Sequence, residues 1–144
     1  MSLKYLFAYG TLKRGFGNNE RLLGAEKFIS TAETVELYPM IGEGMGFPYA
    51  FDVPGTGNIL QGEVFEVQEK TWVALDRLEG YPNHYDRKLI TVKLADGSYI
   101  EATIYVCKRP FRSFMPDAKL IANFVSPTWA QPSRSTSGSA ASRR

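Results

Sequence analysis

Runs of apolar residues along the chain predict a body made mostly of β-strands. The unbroken apolar and aromatic run from Tyr5 to Tyr9 is typical of a strand buried on both faces, and Gly10 ends it. Leu60 to Val67 shows partial strand alternation. Arg87 to Leu94 and Ser98 to Cys107 are rich in β-branched residues and are joined through Ala-Asp-Gly-Ser, which predicts a β-hairpin.

One segment, TWVALDRLEG, has the pattern of an α-helix. Its apolar residues Trp72, Leu75 and Leu78 recur at three-residue spacing, which would place them on one side of a helix. Thr71 is a candidate cap for the start, and Gly80 can supply the left-handed residue that ends the helix. We therefore expect one helix immediately before the hairpin.

The remaining segments are less regular. Asn19 to Leu23 could form one helical turn, Lys27 to Ile41 is either a strand pair or an irregular extended segment, and Gly42 to Gly57 is a glycine-rich loop with short extended pieces. From Ser126 onward the chain is rich in Ser, Pro and Arg, a composition that cannot bury enough surface to order itself. We expect one domain at residues 1–125, followed by a flexible tail at 126–144.

Composition narrows the class of protein. The 144 residues are 44% hydrophobic, enough for a core, and 17 basic against 15 acidic side chains give a net charge of +2, which offers little support for a nucleic-acid partner. One cysteine and one histidine exclude an internal disulfide and a Cys/His zinc cage within one chain. No apolar stretch approaches the roughly 20 residues of a membrane span, and no signal peptide is recognisable. We expect a soluble, cytoplasmic protein of undetermined oligomeric state.

Common catalytic and nucleotide-binding devices find little support. A Ser-His-Asp or Cys-His arrangement would have to use His84, whose Pro/Asn context favours a turn role. Cys107 lies in a strand pattern, where a buried inert thiol is expected. The segment GTLKRGFG has the two glycines of a phosphate-binding loop but lacks the Lys-Ser/Thr pair that must follow them, so nucleotide binding is not indicated.

The end of the predicted helix carries a candidate acid/base. Glu79 lies in the last turn, where the helix dipole, the nearby Asp76 and any apolar cover would all raise its pKa if it faces inward. A carboxyl with a pKa closer to neutrality can accept a proton and return it. The alternative is that Glu79 points to water, paired with Arg77 or Arg87.

The turn after the first strand is a candidate binding loop. A buried strand that ends in Gly10-Thr11 presents backbone N–H groups that can bind a carboxylate or an oxyanion, and the missing glycine side chain allows close approach. The same residues could form a plain turn. Nearby hydroxyls could bind a small polar ligand, or belong to core aromatics with a wet tip, at Tyr9, Tyr81, Tyr85 and Tyr105.

Four segments, taken together, resemble one family. They are YGTLKRG at Tyr9 to Gly15, PGTGNILQGEVFEV at Pro54 to Val67, LDRLEGYPNHYDR at Leu75 to Arg87, and IYV at Ile104 to Val106. In this order and spacing the chain is similar to the gamma-glutamylcyclotransferase superfamily, and most similar to its gamma-glutamylamine cyclotransferase branch with the related plant avirulence-induced proteins. The resemblance covers about 100 residues.

The resemblance implies a fold and a reaction. The fold would be α+β, a small mixed-strand barrel with short helices, in which the YGTL loop and the end of the helix meet at one cavity. In the implied reaction the α-amine of a gamma-glutamyl amine or amino acid attacks the side-chain carbonyl, releasing 5-oxoproline and a free amine without metal or cofactor. Glu79 would be the catalytic acid/base. The residues expected to bind this small-molecule substrate are Tyr9, Gly10, Thr11, Leu12, Tyr85 and Tyr105.

Two other hypotheses stay open at the level of sequence. The chain could be a non-catalytic module of the same fold that binds a glutamyl-like metabolite or a protein partner. RNA binding through Lys13, Arg14 and exposed aromatics is the weaker alternative. The identity of the leaving amine is also open, because the binding loop does not itself contact the leaving group.

Overall fold

The computed structural model describes residues 4–42, 47–108 and 119–125. Within these residues, seven strands and two helical segments follow one another along the chain. They are β1 (Tyr5–Ala8), a short π-helix (Asn19–Leu23), β2 (Lys27–Tyr38), β3 (Met40–Ile41), β4 (Tyr49–Ala50), β5 (Asn58–Glu66), α1 (Glu69–Glu79), β6 (Tyr85–Leu94) and β7 (Tyr99–Cys107).

Five of the strands close into a barrel. Their order is β1-β5-β2-β6-β7, and each neighbouring pair in that order is antiparallel. The barrel closes where β7 pairs with β1 in parallel, at Leu6 and Thr103. β3 and β4 form a separate two-stranded antiparallel ribbon. The predicted mixed-strand barrel with short helices is confirmed.

The apolar run of β1 is explained by cover on both faces of the strand. Phe7 belongs to one buried cluster, together with Val64 and Ile104 of neighbouring strands, whereas Leu6 belongs to a second cluster that includes Trp72 of α1. Because successive side chains of a strand point to opposite faces, a strand between two clusters needs apolar residues at every position. The predicted doubly buried strand is confirmed over Leu6, Phe7 and Ala8.

Close contact between β1 and β5 requires a glycine. A Cβ atom at Gly62 would lie 2.4 Å from the carbonyl oxygen of Ala8 and 2.7 Å from the ring of Phe7. Real Cβ atoms do not approach backbone this closely, so only glycine lets the two strands pack here. This contact holds the end of β1 against β5, and the binding loop continues from that end.

The helix α1 begins earlier than predicted and ends as predicted. Its first residue is Glu69, and Gln68 precedes it without a capping side-chain hydrogen bond, so Thr71 is not the cap. The Thr71 hydroxyl instead donates to the carboxylate of Glu26, a tertiary contact that sequence spacing does not reveal. Gly80 ends the helix in the left-handed conformation, with φ 69° and ψ 34°.

The predicted hairpin is confirmed, and the other extended segments are clarified. β6 pairs with β7 from Tyr85 to Lys93, two residues earlier than predicted. The segment predicted as Lys27 to Ile41 is one long strand with irregular register against β5, followed by the two residues of β3. In the predicted loop at 42–57 the described residues contain only the short β4, and residues 43–46 lie outside the described part.

Residues 119–125 return to the barrel and contact the binding loop. Phe124 is fully buried in the barrel cluster, and its ring stacks on Phe16 with centroids 5.9 Å apart. The backbone N–H groups of Gln61 and Ile121 donate to the carbonyls of Ala122 and Met40. The ordered domain predicted to reach residue 125 stays a prediction, and the tail predicted at 126–144 lies outside the described residues.

Candidate active site

A cavity of about 340 Å³ lies at the end of β1. Its wall includes the end of β1 and the loop that follows it, Pro48 directly before β4, the last turn of α1 and the first residue of β6. All seven residues predicted from the sequence for the site line this one cavity: Tyr9, Gly10, Thr11, Leu12, Glu79, Tyr85 and Tyr105.

The loop Gly10–Leu12 is held in place by asparagines of the π-helix region. The Asn18 Nδ2 atom donates to the Thr11 hydroxyl at 2.9 Å, and the buried Asn19 Nδ2 atom donates to the carbonyl of Leu12 at 2.8 Å. Among the hydrogen bonds of the described residues, none uses the backbone N–H of Gly10, Thr11 or Leu12 as donor. These N–H groups belong to a loop that lines the cavity, and such groups can bind an anionic oxygen.

Gly10 is required by a neighbouring proline. A Cβ atom at Gly10 would lie 2.7 Å from Cγ and 2.8 Å from Cδ of Pro48. Pro48 lines the cavity, and its carbonyl accepts a hydrogen bond from the Tyr85 hydroxyl at 3.3 Å. A side chain at position 10 would therefore displace Pro48 from its place in the cavity wall.

The basic half of the loop is used for anchoring. The Lys13 ammonium donates to Oδ1 of Asn123 at 2.8 Å and to the carbonyl of Phe124 at 2.6 Å, and burial lowers its pKa to about 8. The Arg14 backbone N–H donates to Glu63 at 2.8 Å, and the Arg14 guanidinium lies 3.6 Å from the ring centre of Phe28. These contacts fix the loop to β5, to β2 and to residues 119–125.

Glu79 faces the cavity rather than bulk water. Burial raises the pKa of its carboxyl to about 7. Within the described part of the chain, Glu79 forms no ion pair, and Arg87, one of the two partners considered for it, instead pairs with Asp76 at 3.1 Å. Burial, and not the expected charge of Asp76, raises this pKa.

Three tyrosine hydroxyls in the cavity wall donate their hydrogens to the protein. Tyr9 donates to the carbonyl of Tyr105 at 2.7 Å, Tyr85 donates to Pro48, and Tyr105 donates to Oδ1 of Asp76 at 2.6 Å. Burial raises the pKa of all three hydroxyls, so they stay protonated; at Tyr105 the hydrogen bond to Asp76 and its charge raise the pKa further, and the charge of Glu79 contributes at all three. The hydroxyl oxygens of Tyr85 and Tyr105 can still accept a hydrogen bond from a ligand, whereas that of Tyr9 already accepts from the backbone N–H of Ala50.

Other residues of the wall were not identified from the sequence as site residues. Asn18, Phe47, Pro48 and Leu78 line the cavity, and no motif in the sequence singles them out. His84 is exposed in the turn after α1, as expected, but it also lines the cavity, with its ring 5.4 Å from that of Tyr85. These residues reach the site because segments that are far apart in the sequence fold together around the cavity.

Two features of the described residues bear on metal and membrane sites. In residues 4–42, 47–108 and 119–125, no group of three His, Cys, Asp or Glu side chains is placed to hold a metal ion. Over the same residues, neither helical segment has the length and apolar character needed to cross a bilayer. The single cysteine, Cys107, is buried in β7, as the sequence predicted.

Comparison with known proteins places the chain in a family. Residues 6–129 match the family described as gamma-glutamyl cyclotransferase, AIG2-like. A protein of Methanocaldococcus jannaschii, named provisionally as a gamma-glutamylcyclotransferase, is 41% identical over 103 residues, covering 72% of this chain and 83% of that protein. The human gamma-glutamylaminecyclotransferase is 35% identical over 96 residues, covering 63% of each chain.

A solved structure supports the same assignment. The crystal structure of a mouse AIG2-like protein superimposes with a TM-score of 0.75 and 26% identity, covering 87% of this chain and 90% of that one. The barrel, the order of its motifs along the chain and the matched residues therefore agree. The chain belongs to the AIG2-like gamma-glutamylcyclotransferase family.

Proposed function

We propose that this protein is a cofactor-independent cyclotransferase that releases 5-oxoproline and a free amine from a gamma-glutamyl amine or a gamma-glutamyl amino acid. The observation that carries the proposal is the position of Glu79. Its carboxyl, with a pKa raised to about 7, lines the same cavity as the backbone of Gly10, Thr11 and Leu12. An acid/base group and a set of amide donors thus lie around one small space.

The reaction takes its nucleophile from the substrate. The α-amine of the glutamyl group attacks the γ-carbonyl carbon, a new C–N bond closes a five-membered lactam, and the original amide C–N bond breaks to release the amine. No water is consumed, and no covalent bond to the protein forms. The attacking and attacked atoms already belong to one molecule, so the protein needs to fold the substrate and move protons.

Glu79 is the residue that would move these protons. As a carboxylate it takes a proton from the α-ammonium, which makes the amine nucleophilic, and it returns a proton to the departing nitrogen. A pKa of about 7 suits both steps, because acid and base forms are then both populated near neutral pH. Since the carboxyl ends the cycle as it began, one residue is sufficient.

Different parts of the cavity wall suit the anionic and the cationic groups of the substrate. The N–H groups of Gly10, Thr11 and Leu12 suit a carboxylate or the developing oxyanion, which are both anionic oxygens. The hydroxyl oxygen of Tyr105 can accept a hydrogen bond and lies near the negative charge of Glu79, which suits an ammonium group.

The residues around the cavity favour an amine over an amino acid as the leaving group. Among the described residues that line the cavity there is no lysine or arginine, so none of them offers a fixed cation for a carboxylate on the carbon next to the scissile nitrogen, which gamma-glutamyl α-amino acids carry and gamma-glutamyl-ε-lysine does not. Phe47 and Leu78 instead give part of the wall an apolar surface. The relative named gamma-glutamylaminecyclotransferase in human supports the same substrate class.

The test is turnover of a matched panel of compounds. Gamma-glutamyl-ε-lysine, gamma-glutamyl-alanine and glutathione are incubated with the protein, and 5-oxoproline and the released amine are measured by mass spectrometry. We expect equal amounts of both products, with the lysine compound turned over fastest. A derivative acetylated on its α-amine should be inert, because it lacks the nucleophile.

Four results would contradict the proposal. Release of glutamate in place of 5-oxoproline would show hydrolysis, and turnover of the acetylated derivative would show a nucleophile outside the substrate. Saturable binding of 5-oxoproline with no turnover of any compound in the panel would indicate a non-catalytic binding module. Undiminished turnover by a Glu79→Gln variant would remove the assigned acid/base.

A further inference from the structure

Asp76 connects a tyrosine of the cavity wall to an arginine behind it. It lies one helical turn before Glu79 on α1, and its two carboxylate oxygens have different partners. Oδ1 accepts the hydroxyl hydrogen of Tyr105 at 2.6 Å, and Oδ2 accepts from Nη1 of Arg87 at 3.1 Å. The Arg87 guanidinium in turn lies 3.9 Å from the ring centre of Tyr81.

We propose that Asp76 is a positioning residue that keeps the Tyr105 hydroxyl oriented as a hydrogen-bond acceptor for the substrate's α-ammonium group. The proposal rests on the function proposed above, since it assigns the ammonium to the wall that contains Tyr105. It adds a role for a residue that does not itself line the cavity.

The reason lies in the single hydrogen of a hydroxyl group. A carboxylate only accepts, so Tyr105 must give its hydrogen to Asp76, and the lone pairs of the hydroxyl oxygen are then the only groups left for a ligand. Arg87 only donates, and its ion pair with Asp76 occupies the other carboxylate oxygen. An ammonium has donors and no acceptor, so it complements this oxygen and would be repelled by a hydrogen pointing at it.

An asparagine at position 76 would reverse this arrangement. Arg87 accepts no hydrogen bond, so the amide of an Asp76→Asn variant must turn its oxygen to Arg87 and its NH₂ to Tyr105. The Tyr105 oxygen would then receive the amide hydrogen, and its own hydrogen would have to point elsewhere, including into the cavity. The shape of the side chain is nearly unchanged, so the substitution changes the direction of one hydrogen bond.

A second substitution should restore the hydrogen-bond acceptor that Asp76→Asn removes. In an Asp76→Asn, Arg87→Met double variant, the amide is free to turn its oxygen back to Tyr105, which recovers the acceptor. Tyr105→Phe removes the hydroxyl, so adding Asp76→Asn to it should change nothing further. Glu69→Gln is the matched control, because it replaces another carboxylate by an amide on the same helix, at an exposed position in the first turn.

The kinetic test separates positioning from damage to the fold. For Asp76→Asn we expect KM for the gamma-glutamyl substrate to rise about tenfold or more, with a smaller change in kcat and partial recovery in the double variant. The pH at which activity changes, near 7, should be the same in the variant, since burial and not Asp76 raises the pKa of Glu79. Further loss in the double variant, or an added effect of Asp76→Asn on Tyr105→Phe, would overturn the proposal.

A binding test does not depend on turnover. L-Glutamate and glutarate differ only in the α-ammonium, and neither can release an amine. By calorimetry, Asp76→Asn should weaken L-glutamate about tenfold and glutarate less than about twofold, whereas Glu69→Gln should alter neither. Equal weakening of both ligands, or of neither, would refute the role of Asp76. If Asp76→Asn shows this selective loss but the wild-type protein never forms 5-oxoproline, the catalytic proposal fails and the positioning role stands.

Discussion

Replacing Glu79 by Gln should abolish most of the activity and at the same time stabilise the folded protein above neutral pH. The carboxyl is buried at the end of α1, and its pKa is raised to about 7 by that burial. Gln has nearly the same size and cannot ionise, so it removes the acid/base function and the cost of burying a charge in one step. Two measurements on one variant therefore test the same structural feature.

The size of the stability effect follows from the pKa shift. The ordinary pKa of this carboxyl is 4.5, and its pKa in the folded protein is about 7. Burying the ionised form therefore costs about 3 kcal/mol more than burying the protonated form. Because the folded value is the higher one, the folded chain retains a proton that the unfolded chain has lost. Stability is therefore lost as pH rises from about 4.5 to about 7, and the loss is complete above that range.

The assay is urea denaturation of the wild type and of Glu79→Gln, each at about pH 5 and about pH 8. The difference in unfolding free energy should shift by about 2.5 kcal/mol in favour of the variant between these two pH values. Other titrating groups cancel in this comparison, and Glu101→Gln, an exposed strand position, should show no such shift. Turnover of the variant should fall about 10²- to 10⁴-fold. A pH-independent stability difference would refute the buried carboxyl, even if activity were lost.

Three further substitutions test the packing that forms the site. Gly62→Ala should destabilise the fold by about 1 to 3 kcal/mol in urea denaturation, because its Cβ would collide with backbone and ring atoms of β1, whereas Gly17→Ala, with open space around it, should change stability little. Gly10→Ala should raise KM clearly and lower the melting temperature only slightly, since it displaces Pro48 from the cavity wall. An unchanged KM together with a large fall in melting temperature would contradict this geometry. Phe124→Ala should cost about 3 to 5 kcal/mol and expose residues 119–125 to proteolysis, and an unchanged protease pattern would show that these residues do not depend on that ring.

Local sequence signals predicted the parts of the fold that depend on local chemistry. The left-handed end of α1 at Gly80 and the Asp-Gly hairpin follow from conformations that few residues adopt. The start of α1 was predicted wrongly because Thr71 resembles a cap, while its hydroxyl is bonded to Glu26, about 45 residues away in sequence. The closure of the barrel depends on pairings such as Leu6 with Thr103, and the expectation of a barrel came from the family resemblance, not from periodicity.

The candidate site shows the same division. The sequence could name Glu79 as an unusual acid at a helix end, but it could not decide whether the side chain faces water, because the cover comes from segments elsewhere in the chain. Asn18 and Asn19, which hold the binding loop, gave no recognisable signal. A side chain whose role is to orient a neighbour has no composition or spacing of its own to detect.

The segment from Tyr9 to Gly15 illustrates why a short motif can need both apolar and basic residues. Amide donors stabilise an anion effectively only if they are already in place, since donors that must reorient lose part of the gain. Gly10 to Leu12 lie at the cavity, and the next two residues provide the rigidity: Lys13 is bonded to residues 119–125 and Arg14 to β5. The positive charges of the motif are thus engaged with the protein's own groups. These contacts hold a glycine-containing loop on the surface of a barrel in one conformation, which is the condition for the amide donors to bind the anionic oxygens of the proposed substrate.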